Sequence, residues 1–191
     1  CQPDTGPHLL SRSASLPDSA FQHDGKLTKQ EVRSMVLAKL MPFPEHFLWD
    51  VGAGCGSVAI EWMRTHPNCT AIAVERSAER IEMLRENADS LGTPMLQIVQ
   101  GEAPGALSDL HQHDAVFLGG GISIETLERC WESLSINGRL VSNAVTLESE
   151  RVLLEWKSGH GGELSRISIS RVENIGQYQG WKPLMPVTQY S

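Results

Sequence analysis

The sequence contains no CxxC pair: its 4 cysteines, Cys1, Cys55, Cys69 and Cys130, are scattered singly along the chain. A zinc ribbon or a dithiol redox centre is therefore not indicated, and free thiols in a reducing cytoplasm are the expected state. Aromatic residues make up only 6%, which argues against a base-stacking surface. Positive charge is also scarce, with Lys+Arg 16 against Asp+Glu 23 and a net charge of −7. A field of that sign disfavours non-specific binding to nucleic acid or to anionic membranes. No apolar run approaches the roughly 18–20 residues needed to span a bilayer, and no basic-then-apolar segment opens the given sequence. Internal repeats and low-complexity blocks are lacking as well. The expectation is a cytoplasmic protein with no nucleic-acid, membrane or metal partner.

What is present is ordinary globular composition, 40% hydrophobic and 20% charged over 191 residues, enough for one domain with a sizeable core. Residues 1–17, rich in Pro, Ser, Gly and Asp, read as a linker or tail; residues 18–191 read as the domain. Val32, Met35, Val36 and Leu40 recur at helical spacing, with Thr28 and Glu31 placed as a T-x-x-E capping box. Beyond Pro42 and Pro44, strand and helix patterns alternate. Strands are expected at Phe47–Val51, Thr70–Val74, Met95–Val99, Ala115–Leu118 and Arg139–Val145. Helices are expected at about Ser57–Arg64, after Ser77, over Ile124, Leu127, Trp131 and Leu134, and over Leu147–Trp156. Leu164–Val172 alternates at period two, and a last extended piece runs from Trp181 to Tyr190. Alternation of this kind implies a doubly wound, mostly parallel α/β sheet, closed by antiparallel C-terminal strands. Ligands bind such sheets at the carboxyl ends of the strands, near the switch in strand order.

The segment Asp50-Val51-Gly52-Ala53-Gly54-Cys55-Gly56-Ser57 connects a strand to a helix. A dinucleotide fold would want GxGxxG, but the spacing here is GxGxG; a phosphate loop would want GK[ST], and none follows. Glu75, at the end of the next strand, can accept both hydroxyls of a ribose. An adenosyl ligand without a pyrophosphate fits this pattern best. The competing reading is a glycine turn with no ligand.

DVGAGCGSVAIE resembles motif I of the class I S-adenosylmethionine methyltransferases, which have a Rossmann-like fold. GKLTKQEVR, DVGAGCGSVAIEW, AVERSAER, QGEAP and the FLGGG run follow in an order that resembles the precorrin carbon-15 methyltransferase (decarboxylating) family of cobalamin biosynthesis. The resemblance covers about residues 16–191. Where that family has GxPMTK this chain reads GKLTK, which alters the shape of the entrance loop. The family occurs alone or as the C-terminal half of a bifunctional precorrin-6Y methyltransferase. The resemblance therefore implies S-adenosyl-L-methionine as cofactor, a precorrin as substrate, and methylation of carbon 15 with loss of the carbon-12 acetate as carbon dioxide. It also implies an N-terminal carbon-5 methyltransferase domain in the full-length chain and a homo-oligomer, a tetramer.

The candidate cofactor residues are Thr28, Asp50, Gly52, Ala53, Gly54, Cys55, Gly56, Glu75, Glu102 and Ala103. Asp50 either braces the loop or receives the cofactor's amino group, and Thr28 either caps its helix or touches the cofactor. Glu102 and Ala103 would frame the adenine; the competing reading is a helix-start acid. Gly119, Gly120 and Gly121 stand where amino-group methyltransferases often carry [DN]-P-P-[YFW], and they leave room for a large flat substrate or form a plain turn. Lys26, Lys29 and Arg33 are the candidates to meet substrate carboxylates, against a solvated helix face. His23 and Lys29 are the candidates for proton transfer. His111 and His113 form a close pair but lack a third ligand, so a solvated loop is expected there. Two further functions remain open: an RNA or protein methyltransferase on the same fold, and a cofactor-binding module without catalysis.

Overall fold

The computed structural model describes residues 10–12 and 15–191. The expected linker over residues 1–17 falls mostly outside that range. Within it, Leu16 is buried in the core and the amides of Ser15 and Leu16 donate to the two carboxylate oxygens of Glu61. The packed unit thus includes Ser15 and Leu16, ahead of the boundary expected at residue 18.

Helix α1 (Gln30–Leu40) precedes the alternating core, which runs β1 (Phe47–Val51), α2 (Ser57–Thr65), β2 (Thr70–Glu75), α3 (Ala78–Ser90) and β3 (Gln97–Gln100). It continues with β4 (His113–Leu118), α4 (Ile124–Glu132), β5 (Leu134–Ala144) and α5 (Leu147–His160). The last strands are β6 (Leu164–Ile167), β7 (Ser170–Ile175), β8 (Tyr178–Pro183) and β9 (Val187–Tyr190). Seven strands form one sheet in the order β3-β2-β1-β4-β5-β9-β6. Strands β1 to β5 pair in parallel, and β9 runs antiparallel between β5 and β6. The doubly wound sheet with antiparallel closing strands is as the patterning predicts. The order reverses between β1 and β4, so a crevice opens there above the carboxyl ends.

Helices cover both faces of the sheet. Val36, Leu37 and Leu40 of α1 join Val58, Ile60 and Trp62 of α2 and Leu84 and Ala88 of α3 on one face. Leu127 and Cys130 of α4 and Leu153 and Trp156 of α5 cover the other. Burial on both sides explains why β2 reads as an unbroken small-apolar run, TAIAV, rather than an alternation.

Several local expectations are corrected. Leu134 opens β5 instead of closing α4, because the chain turns at Ser133. The period-two run over Leu164–Val172 is two strands: β6 joins the main sheet, whereas β7 pairs with β8 in a separate hairpin. The start of α1 carries no side-chain cap from Thr28; Lys29 flanks the helix, and the Gln30 amide donates to Asp18 Oδ1 at 2.8 Å. Glu31 turns outward to Arg171, 2.6 Å away, and so does not complete a capping box. His113 is the first residue of β4, buried and stacked on Trp49 at 3.9 Å, and not part of a solvated loop. Neither of its ring nitrogens has a partner among the described residues, and burial pulls its pKa down to about 3.

Candidate active site

The β1–α2 turn is shaped by close backbone contact. A Cβ on Gly52, whose φ is +71°, would lie 2.7 Å from the Gly120 nitrogen. The absence of a side chain at Gly52 is therefore what lets the run after β4 approach the turn this closely. Gly56, with φ of +80°, flanks the start of α2, where a Cβ would lie 2.8 Å from Leu84 Cγ. Asp50 sits beneath the turn and its Oδ2 accepts from the Ala59 amide at 2.9 Å, tying α2 to β1. Its Oδ1 has no partner among the described residues. Burial pushes the Asp50 pKa up to about 7; the Ala59 hydrogen bond opposes that rise and the nearby charge of Glu75 adds to it.

Glu75 ends β2 and is only 4% exposed. Its Oε2 accepts from the Gly54 amide at 2.8 Å and its Oε1 from the Ser77 amide at 2.9 Å. One carboxylate thus joins the glycine turn to the start of α3. Each oxygen keeps a further lone pair for a ligand hydroxyl. Asn87 of α3 was not anticipated, since a lone Asn within a helical pattern carries no signal of its own. It is buried, donates to Cys55 O and Gln22 O, and accepts from the Gln22 amide. It therefore holds the glycine turn and the segment preceding α1 in register.

These elements bound a cavity of about 670 Å³ at the carboxyl ends of the strands, within the usual range for small-ligand sites. Gly52, Ala53, Gly54, Glu75, Glu102 and Ala103 line one part of it. Lys26, Thr28 and Lys29 line its rim, and Gly119, Gly120 and Gly121 line the end of β4. An apolar wall that the sequence did not single out completes it: Val32, Ile167, Ile169, Leu184 and Val187, with Asn143 at the end of β5. No pattern links Val32 to Ile167 and Val187, which meet only because β6 and β9 fold back beside α1.

Other expected site residues lie elsewhere. Arg33 does not face the cavity. It is fully buried, with Nε 2.6 Å from Glu61, Nη1 3.4 Å from Asp18, further bonds to Thr28 O and Leu16 O, and its guanidinium over the Phe21 ring. A helix pattern cannot reveal that its partner lies on another helix. His23 is outside the cavity lining, its Nδ1 accepting from the Gly25 amide at 2.9 Å. Asp50, Cys55 and Gly56 support the turn from below and do not line the cavity. At the rim, Arg80 pairs with Asp24 at 2.8 Å and Arg76 with Glu102 at 2.8 Å. Lys26 and Lys29 make no ion pair among the described residues. No group of His, Cys, Asp and Glu suited to a metal ion occurs among the described residues.

The family model described as a precorrin methyltransferase domain matches residues 19–191. A precorrin-6Y C(5,15)-methyltransferase [decarboxylating] of Sinorhizobium is 47% identical over 189 residues, 98% of this chain and 46% of its own. The chain thus spans about half the length of that relative. A probable cobalt-precorrin-6B C(15)-methyltransferase (decarboxylating) of Pyrobaculum calidifontis is 31% identical over 90% of this chain and 92% of its own. The crystal structure of the C-terminal domain of precorrin-6Y C5,15-methyltransferase from Rhodobacter capsulatus superimposes with a TM-score of 0.88 at 44% identity. It covers 95% of this chain and 98% of that one.

Proposed function

The chain belongs to the precorrin methyltransferase domain family, and from that premise we propose that it is the carbon-15 methylating, decarboxylating unit of cobalamin biosynthesis. The observation that carries the reading is the glycine turn clamped by Glu75 beside a cavity that continues from this turn to the glycine run after β4. S-adenosyl-L-methionine, when bound, supplies an activated methyl group. The residues present fit it. Gly52, Ala53 and Gly54 offer backbone without side-chain obstruction to the methionine portion. Glu75 accepts the ribose hydroxyls, and Glu102 and Ala103 flank the adenine, with Thr28 at the rim. Asp50 acts by holding the turn and not by contact.

The substrate half of the cavity suits a conjugated macrocycle. Gly119, Gly120 and Gly121 present no side chain, and Ile167, Ile169, Leu184 and Val187 supply an apolar face. Lys26 and Lys29 carry charge free to meet peripheral carboxylates, which is needed in a protein of net charge −7. Lys29, which lines the cavity, is the candidate for proton transfer, ahead of His23, which lies outside the lining. Alignment of substrate, methyl and sulfur is the protein's main task.

A partner domain acting on carbon 5, a homo-oligomer and a cytoplasmic setting belong to the same proposal. The β7–β8 hairpin supports the oligomer, since Val172, Ile175, Tyr178 and Trp181 are exposed on an isolated two-stranded ribbon. Among the described residues no helix is long and apolar enough to cross a membrane. The test is incubation with methyl-labelled S-adenosylmethionine and a precorrin, followed by mass analysis and trapping of carbon dioxide. Gain of the labelled methyl with release of carbon dioxide is expected. Methylation without carbon dioxide removes the decarboxylating assignment; transfer of label to RNA or protein instead removes the substrate class.

A further inference from the structure

On the part of the cavity wall built from β4, β5, β6, β9 and the chain between β8 and β9, the described lining residues are glycines or apolar with one exception. That exception is Asn143, at the carboxyl end of β5, directly across from Gln189 of β9 in the sheet register. Gln189 Nε2 donates to Asn143 Oδ1 at 3.0 Å. The pair is buried, Asn143 being 9% exposed and Gln189 1%. Gln189 Oε1 has no partner among the described residues. Burying an amide pair in an apolar wall, with an acceptor left unsatisfied, is costly.

The hydrogen bond with Gln189 occupies one end of the Asn143 amide. Its oxygen is engaged by Gln189, so its nitrogen is the end left over. Nδ2 has no hydrogen-bond partner among the described residues, and Asn143 lines the cavity. Two N–H donors are thus held ready on a wall that carries no charge. The four basic residues lining the cavity, Lys26, Lys29, Arg76 and Arg80, all come from the segment before α1, the β2–α3 turn or the first turn of α3.

We propose that Asn143, its amide oriented by Gln189, is the donor that binds a peripheral carboxylate of the macrocyclic substrate at the β4–β5 end of the cavity. This rests on the precorrin reading given above. Asn143 would touch substrate; Gln189 is a positioning residue that acts through it. A neutral donor registers the macrocycle through one carboxylate without adding a cation to the apolar wall.

The experiment compares the parent with Asn143→Leu, Asn143→Asp and Gln189→Leu, using S-adenosylmethionine and a precorrin. Affinity for S-adenosylhomocysteine and thermal melting are followed in parallel. Loss of a hydrogen bond to a charged group should raise the precorrin KM about tenfold or more in Asn143→Leu. Asn143→Asp should raise it further, because carboxylate would face carboxylate. Gln189→Leu should raise KM by a smaller factor. S-adenosylhomocysteine affinity should be unchanged in all three. With a precorrin whose carboxylates are methyl esters, the parent and Asn143→Leu should become nearly equal. Precorrin KM values in Asn143→Leu and Asn143→Asp that match the parent would overturn the assignment. So would parallel losses of precorrin and S-adenosylhomocysteine binding, or a deficit that persists undiminished with the ester. A parent that binds S-adenosylhomocysteine but turns over no precorrin would instead sink the reading on which the inference rests.

Discussion

Glu75 holds the amides of Gly54 and Ser77 with its two oxygens, so its removal acts twice. The turn loses its clamp and, on the function proposed above, the ribose loses its acceptor. Glu75→Ala should weaken binding of S-adenosylhomocysteine by about 1–3 kcal/mol, the range for charge-assisted hydrogen bonds. Calorimetry on the folded variant checks this, and unchanged affinity would exclude Glu75 from the site. At this scale the sequence was readable where a residue type follows from local geometry. Glu75 closes a recognisable strand, and the glycines around it sit at a recognisable turn. The burial of Arg33 is not legible in the helix pattern, because its partners Glu61 and Leu16 lie far away in the chain. Asn87 and Asn143 were not singled out for the same reason.

The turn after β1 and the glycine run after β4 pack closely, because the run occupies the space a side chain on Gly52 would need. Gly52→Ala would force a Cβ to within 2.7 Å of the Gly120 nitrogen at a backbone φ of +71°. Separation of the two loops should cost about 1–3 kcal/mol of stability, as overpacking does, and should reduce cofactor binding as well. Urea unfolding and calorimetry read the two effects; a variant normal in both would mean the loops can part freely. Helix α1 is anchored to α2 and to the preceding segment through Arg33 and Glu61. Arg33→Leu leaves the Glu61 carboxylate buried without its cation and should destabilise the fold by about 3–5 kcal/mol. The precorrin KM of the protein that remains folded should not change. A large rise in KM with little loss of stability would restore Arg33 to the substrate site.

For the whole molecule, two buried groups set opposing responses to pH. Asp50 has its pKa raised from 3.8 to about 7, so between those values the native state holds a proton that the unfolded chain has released. Its contribution therefore falls as pH rises through that window. His113 has its pKa lowered from 6.5 to about 3, so in that range the unfolded chain holds the extra proton and stability rises with pH. Across their overlap, from 3.8 to about 6.5, the two slopes oppose each other. Asp50→Asn should expose the rising slope, and His113→Phe the falling one. Denaturant unfolding at several pH values measures both; parallel profiles in parent and variants would show that neither group titrates as its burial implies. Sequence alone determined the alternating order of elements, the parallel sheet, the glycine turn with its acid on the next strand, and the family resemblance, because these depend on periodicity and neighbours a few residues apart. Only the tertiary structure decided that Arg33 is buried with Glu61, that Glu31 pairs with Arg171 and caps nothing, and that His113 lies under Trp49. It also separated β7 from β6 and brought Asn143 beside Gln189 on the cavity wall. Those outcomes depend on which distant surfaces meet, and side-chain burial and pairing are settled only when the sheet closes.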